Sequence, residues 1–235
     1  MPKFAAVVLS GGTGSRMGSD IPKQYLEVAG KPVIYYSLKA FQDSNVSEII
    51  LVAAENYLEY CRERIVEAYG LDKVTKIVAG GRERYDSVLQ GLRAVEDVDY
   101  ILIHDGARPM LTAGIIERTE QAAVRYGACV AGMPAKDTIK IADADGFGTA
   151  TPDRRRTWLI QTPQAFSNDL IRSCYEKLHS DMEAGKKLPA ITDDAMVVEY
   201  ASATKVKFVE GSYRNIKITT PEDLLIARIY LTEKS

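Results

Sequence analysis

A chain of 235 residues, 46% hydrophobic and 26% charged, has the make-up of an ordinary soluble globular protein, long enough for one substantial domain and an arm. Its net charge of -2 excludes bulk basicity as a reason to bind nucleic acid or an anionic membrane, so any phosphate recognition must come from local clusters. The three cysteines (Cys61, Cys129, Cys174) are odd in number and lie far apart, the N-terminus lacks a signal-like pattern, and no run of about 18 apolar residues occurs. These features predict a reduced, cytoplasmic protein rather than a disulfide framework or a membrane span.

In chain order, the apolar run Phe4 to Leu9 predicts a strand buried on both faces. It breaks into a loop with glycine at 11, 12, 14 and 18. Pro32 to Phe41 predicts a helix, Glu48 to Ala54 a second strand, and Tyr57 to Tyr69 a helix closed by Gly70. Val74 to Ala79 predicts a third strand, and Tyr85 to Val95 a helix with Val88, Leu89 and Leu92 on one stripe. Tyr100 to His104 and Ala128 to Met133 predict further strands, with a helix over Ala113 to Tyr126 between them. This alternation argues a Rossmann-like doubly wound α/β fold, a mainly parallel sheet flanked by helices, built as one domain over residues 1–235. In such sheets ligands sit beyond the carboxyl ends of the strands, so the loops at 10–18, 80–87 and 105–109 should share one rim.

The rhythm changes at Pro134. Asp137 to Ile141 and Gly148 to Thr151 flank Asp143-Ala144-Asp145-Gly146, which predicts a β-hairpin. Too little of this segment is apolar to bury a core, so residues 134–157 are expected to project as an arm and find cover on a second subunit. Trp158 to Thr162 and Val206 to Val209 return the chain to the sheet. Helices are expected over Asn168 to Ser180, Asp193 to Tyr200 and Pro221 to Leu231, the last with proline in its first turn.

Several clusters carry chemistry. Glycines let the backbone approach a ligand closely, and free amides in such a loop form an anion site. Arg16 and Lys23 add two positive charges beside it, a combination suited to a polyphosphate. The dinucleotide fingerprint fails because Met17 stands where its third glycine belongs, and the P-loop fails because Ser19 follows Gly18. The G-G-x-G-x-R-M loop followed by Pro22-Lys23-Gln24 instead resembles that of sugar-nucleotide and related nucleotidyltransferases. Gly80-Gly81-Arg82-Glu83-Arg84, with Asp86-Ser87, offers a second glycine turn that could hold a base or ribose, or simply start a helix. Asp105, in His104-Asp105-Gly106-Ala107-Arg108-Pro109, could contact Mg²⁺, accept from substrate hydroxyls, or cap its own turn. His104 reads as structural; with His179 the only other histidine, neither a zinc site nor a Ser-His-Asp triad fits. Lys136, Lys140 and Arg154-Arg155-Arg156 line the legs of the hairpin, either as a solvated face or as an anion clamp. Lys217, between Ile216 and Ile218, is a candidate second phosphate anchor.

Across nearly the whole chain these motifs resemble the 2-C-methyl-D-erythritol 4-phosphate cytidylyltransferase family, enzymes of the non-mevalonate isoprenoid route. The matching pieces include Gly14-Ser15-Arg16-Met17, Pro22-Lys23-Gln24, Gly80-Gly81, Asp86-Ser87-Val88 and His104 to Pro109. Lys136 to Lys140, Thr162-Pro163-Gln164, Thr192-Asp193-Asp194 and Val209 to Lys217 continue them in order. The resemblance implies transfer of CMP from CTP to the methylerythritol phosphate with Mg²⁺, and a homodimer whose arm reaches the neighbour's active site. It assigns Arg16 and Lys23 to charge stabilisation at the α-phosphate, and Arg154 and Lys217 to the acceptor phosphate. Asp105 and Thr138 would contact the acceptor, with Arg108, Thr162 and Thr192 nearby. The Ser10, Gly11, Gly12, Thr13 and Gly14 backbone, with Gly81, Arg82 and Ser87, would hold the nucleotide. Many members carry Ala-Ala-Gly where this chain has Ser10-Gly11-Gly12, a form more similar to ribitol-5-phosphate cytidylyltransferases, which keeps ribitol phosphate open as acceptor. The broken fingerprint disfavours a nicotinamide oxidoreductase. In a non-catalytic nucleotide-binding protein, Arg16, Lys23 and Lys217 would be superfluous.

Overall fold

The computed structural model describes residues 1–12 and 21–233. Its strands are β1 (Phe4–Ser10), β2 (Glu27–Val28), β3 (Lys31–Pro32), β4 (Glu48–Ala53), β5 (Val74–Ala79), β6 (Tyr100–Asp105), β7 (Ala128–Pro134), β8 (Ile141–Ala142), β9 (Gly148–Ala150), β10 (Trp158–Ser167) and β11 (Lys207–Glu210). The α-helices are α1 (Val33–Gln42), α2 (Leu58–Tyr60), α3 (Arg84–Ala94), α4 (Ala113–Tyr126), α5 (Asn168–Glu183), α6 (Asp194–Ala201) and α7 (Pro221–Thr232). Seven strands form the central sheet in the order β11-β7-β10-β6-β1-β4-β5. β1 runs parallel to β4 and β6, β4 to β5, and β7 to β11, whereas β10 runs antiparallel to both β6 and β7.

Both faces of the sheet are covered, as the continuous apolar strands demand. Alternate residues of β1 enter opposite layers: Ala6 and Val8 pack with Ile34, Leu38 and Phe41 of α1 and with α4, while Ala5 and Val7 pack with Val88 and Leu92 of α3 and with Tyr175 and Leu178 of α5. The three cysteines are buried and unpaired. No described helix is long and apolar enough to cross a membrane.

Three local readings change. Leu58 to Glu67 is a short α-turn followed by a π-helix over Cys61–Glu67, not one regular helix. β10 continues five residues beyond Thr162 to Ser167. Pro163 hid this extension, because proline is usually confined to strand edges or bulges; here it lies in the irregular stretch between Ile160 and Gln164 where the register with β7 shifts. The arm is less regular than its alternation implied, since only Ile141–Ala142 and Gly148–Ala150 pair. Its turn is nonetheless the expected one: Asp143 accepts from the amides of Asp145 and Phe147, and Gly146 supplies φ +88°.

The rim forms as the topology requires. Gly106 N–H donates to Leu9 O at 2.8 Å and Gly80 N–H to Ala53 O at 2.8 Å, so the ends of β1, β4, β5 and β6 lie side by side. A Cβ on Gly106 would stand 2.9 Å from Leu9 O and 2.3 Å from Ile34 Cδ1, so only glycine lets these strand ends close together.

Candidate active site

At this rim lies a cavity of about 220 Å³ whose wall comes from distant parts of the sequence. Gly11 and Gly12 after β1, Lys23, Gly81 and Arg82 after β5, Ser87 of α3, Asp105 of β6 and Lys217 before α7 all line it. Four cationic side chains (Lys23, Arg82, Arg84, Lys217) and two acidic ones (Glu83, Asp105) face the same space. Positive charge therefore dominates locally in a chain that is slightly acidic as a whole.

Each wall segment is held by identifiable bonds. The Gln24 side-chain amide donates to the carbonyls of Ser10 and, at 3.0 Å, of Gly12, which ties down the start of the glycine loop beside Lys23. Ser87 Oγ accepts from Gly81 N–H at 3.1 Å, and a Cβ on Gly81 would come within 2.2 Å of Asp86 Cβ. Glu83 and Asp86 form the capping box that starts α3, so Asp86 takes the structural role. Ile218 N–H donates to Ala107 O, Arg108 donates to Asn215 O, and the Asn215 amide donates to Thr162 O, at 2.9, 2.8 and 2.9 Å. These bonds sew the 215–218 segment onto the loop after β6 and onto β10, and deliver Lys217 to the rim.

Asp105 is the electrostatic centre. Its Oδ2 lies 2.9 Å from Lys217 Nζ and 3.6 Å from Arg108 Nε, and its Oδ1 lies 3.4 Å from Arg84 Nε. Burial alone would raise this carboxyl, but Arg84, Lys217 and Arg108 together overcome that and hold it well below the usual carboxylate range. His104, fully buried, is pushed down to about 3 chiefly by burial, against the opposing pull of Asp105. It is a neutral structural residue, bonded to Thr162 Oγ1 at 2.9 Å.

The chain matches, over residues 4–233, the family described as 2-C-methyl-D-erythritol 4-phosphate cytidylyltransferase. The chain belongs to that family. It is 52% identical to the 2-C-methyl-D-erythritol 4-phosphate cytidylyltransferase of Lachnospira eligens, covering 96% of this chain and 98% of the relative. It is 46% identical to the protein of that name from Lachnoclostridium phytofermentans, over 99% and 98% of the two chains. The crystal structure of 4-diphosphocytidyl-2C-methyl-D-erythritol synthase from Anaerococcus prevotii superimposes with a TM-score of 0.84 at 33% identity, covering 99% and 97%.

For a cytidylyltransferase of this family the expected site residues divide into groups. Lys23, Gly11, Gly12, Gly81, Arg82, Ser87, Asp105 and Lys217 meet at the main cavity; Ser10 does so through its backbone, since its hydroxyl bonds inward to Val52 O and Tyr25. Arg108, Thr162 and Thr192 line an adjoining cavity of about 190 Å³ that shares Arg84, Asp105 and Lys217 with the first. The Thr162 hydroxyl is already committed to Asp105 N–H and His104, so it positions Asp105 rather than offering a free group. Thr138 and Arg154 sit on the exposed arm and line neither cavity; Arg154 instead donates to Lys136 O at 3.0 Å. Thr13, Gly14 and Arg16 lie outside the described residues.

Sequence reasoning passed over Arg84 and Gln164. Arg84 stands inside the quoted Gly80-to-Arg84 turn, but nothing in that turn reveals that its partner is Asp194, 110 positions away. Among the described residues no three His, Cys, Asp or Glu side chains gather as a metal cage.

Proposed function

We propose that this protein transfers CMP from CTP to 2-C-methyl-D-erythritol 4-phosphate and releases diphosphate, as an enzyme of isoprenoid synthesis. The observation that carries this reading is the meeting of Lys23 and Lys217, from opposite ends of the chain, at one glycine-walled cavity over the sheet's rim. Such a cavity suits two phosphate groups that must approach each other. The acceptor phosphate is already an anionic nucleophile at neutral pH, so no general base is needed. One of its oxygens bonds to the α-phosphorus of CTP as the bond from that phosphorus to the β-phosphate oxygen breaks, and the electron pair leaves with diphosphate. What needs help is holding two anions in line and stabilising charge on the phosphoryl oxygens.

In this reading the glycine-loop amides and Arg82 hold the nucleotide, with Gly81 and Ser87, bonded to each other, forming the wall beside it. Lys23 faces the reacting phosphate, and the family resemblance gives Arg16 the same charge-stabilising role. Lys217 takes the acceptor phosphate, and Asp105 its hydroxyls, with Arg108 and Thr192 beside them. Mg²⁺ would supply charge neutralisation on the nucleotide phosphates. Two acidic side chains at the cavity, Asp105 and the helix-capping Glu83, with no group of three potential ligands among the described residues, fit a metal delivered by the nucleotide rather than caged by protein. Arg154 and Thr138 are exposed on the arm and line neither cavity of their own chain, which supports a homodimer in which the arm completes the neighbouring site.

The family match over residues 4–233 supports methylerythritol phosphate as acceptor, while the Ser10-Gly11-Gly12 form keeps ribitol 5-phosphate as the competitor to test. Diphosphate release from CTP and Mg²⁺, measured with each acceptor separately, decides. Release with methylerythritol phosphate alone is expected; release only with ribitol phosphate reverses the acceptor, and release with neither removes the enzyme reading.

A further inference from the structure

Arg84 enters the site from α3 with an unusual set of partners. Its Nη1 and Nη2 each donate at 2.8 Å to the two oxygens of Asp194, a residue with no solvent exposure. Asp194 itself is fixed from two further directions. Tyr175 of α5 donates to its Oδ1 at 2.6 Å, and Gln164 Oε1 of β10 accepts the backbone amides of Asp194 and Ala195, both at 3.0 Å. A bidentate carboxylate pair sets the plane of a guanidinium. With both terminal nitrogens occupied, the remaining Nε edge turns to Asp105 Oδ1 at 3.4 Å. Asp105 thereby divides its oxygens, Oδ1 toward Arg84 and Oδ2 toward Lys217.

Charge accounting gives this arrangement a purpose. Arg84, Arg108 and Lys217 carry three positive charges against two negative ones on Asp105 and Asp194, so the cluster keeps a surplus of one. Without Arg84 the same groups would balance, and Lys217, already the nearest counter-ion of Asp105 at 2.9 Å, would have only Arg108 to share that carboxylate with. We propose that Arg84 is a positioning residue for phosphate capture: held in one orientation by Asp194, it shares the charge of Asp105 through Oδ1 and so weakens the hold of that carboxylate on Lys217, which can then turn to the incoming acceptor phosphate. This rests on the reading of Lys217 as the acceptor-phosphate ligand.

The test must spare the fold, because removing Arg84 alone would strand a buried carboxylate. The variant Arg84→Gln/Asp194→Asn replaces the ion pair with a neutral, hydrogen-bonding pair, and circular dichroism with thermal melting checks that it folds. Two readouts follow: steady-state KM and kcat, and calorimetric affinity for methylerythritol phosphate with a non-transferable CTP analogue bound. The double variant keeps the cluster's surplus of one, Arg108 and Lys217 against Asp105, so its expected loss of about tenfold or more in acceptor affinity, in both KM and calorimetry and with a clearly smaller change for CTP, reports the sharing of Asp105 and not the net charge. Arg84→Lys, which keeps the charge but lacks the fork, should remain impaired for the acceptor. Unchanged acceptor affinity in the folded double variant, equal losses for CTP and acceptor, or full rescue by lysine would each overturn the proposal. Calorimetry decides this independently of turnover, so wild-type binding without catalysis would sink the transferase reading and leave the Arg84 comparison intact.

Discussion

The rim cavity and the arm use the same residue types in opposite ways. At the rim, Lys217, Arg84 and Arg108 are held against Asp105, and Asp105 is 8% exposed. On the arm, residues 141–150 are exposed throughout, Phe147 at 72%, and the cations find only local company: Arg155 on Asp153, Lys140 on Thr151, Arg154 on Lys136 O. Its root alone is anchored, by Lys136 Nζ 3.5 Å from the Tyr213 ring centroid and by the Tyr213 hydroxyl on Pro134 O. A charge whose field is focused by burial can organise a ligand within one chain. A charge on an exposed ribbon does so only when another surface meets it, which is how we read the arm.

The sharpest break in this contrast would come from the rim. Lys23→Ala should lower kcat by about 10²-fold or more, as for other charge-stabilising groups, measured as diphosphate release. Normal turnover would remove Lys23 from the chemistry. Next, Gly81→Ala forces a Cβ against Asp86 and should cost about 2 kcal/mol of stability by overpacking, read from denaturant melts. A comparable substitution on the open arm, Gly148→Ala, has nothing within 4 Å to meet and should leave the melt unchanged.

A carboxylate away from the rim sharpens the electrostatic side. Glu120 of α4 is buried with one oxygen unpartnered, and burial first, then Glu117, pushes it up to about 7. A raised folded-state value means its contribution is fully present below the unfolded value near 4.5 and is lost as pH rises through about 7. Wild type should therefore lose on the order of 1–2 kcal/mol more stability than Glu120→Gln between pH 5 and 8. Parallel curves would show that the site is better solvated than its burial implies.

The arm gives smaller effects with more information. Arg154→Ala should cost about tenfold in turnover although Arg154 lines neither cavity of its own chain. Mixing Lys23→Ala and Arg154→Ala subunits should then restore activity, because one site in each mixed dimer receives an intact Lys23 and an intact partner arm. No recovery after verified subunit exchange would mean that the arm serves its own chain. Smallest of all, Phe147→Ser should move the stability of the fold by less than about 0.5 kcal/mol, as for other exposed positions, while weakening self-association in sedimentation.

Hydropathy and glycine placement were enough to order the α/β alternation and to set the loops after β1, β5 and β6 on one edge, because buried strands and strand-to-helix turns are local, repetitive signals. The pattern 4–9, 48–54, 74–79, 100–104 agrees with the observed strands to within a residue. β2 and β3 escaped notice because a two-residue pairing around Ala29 and Gly30, both at positive φ, leaves almost no periodicity. The later half of β10 escaped because its proline argues against a central strand. Lys23, Asp105 and Lys217 could be picked out singly, but no local pattern says that they share a wall.

What the sequence determined alone is therefore the succession of elements and the kinds of charge placed at their ends, since both follow from neighbours a few residues apart. What only the tertiary structure decided is which charges pair. Asp105 receives Arg84, Arg108 and Lys217 from separate segments, and Arg84 reaches Asp194 across 110 residues. Those pairings depend on how strands stack in a sheet whose order differs from that of the chain, and Coulomb's law acts on that distance in space.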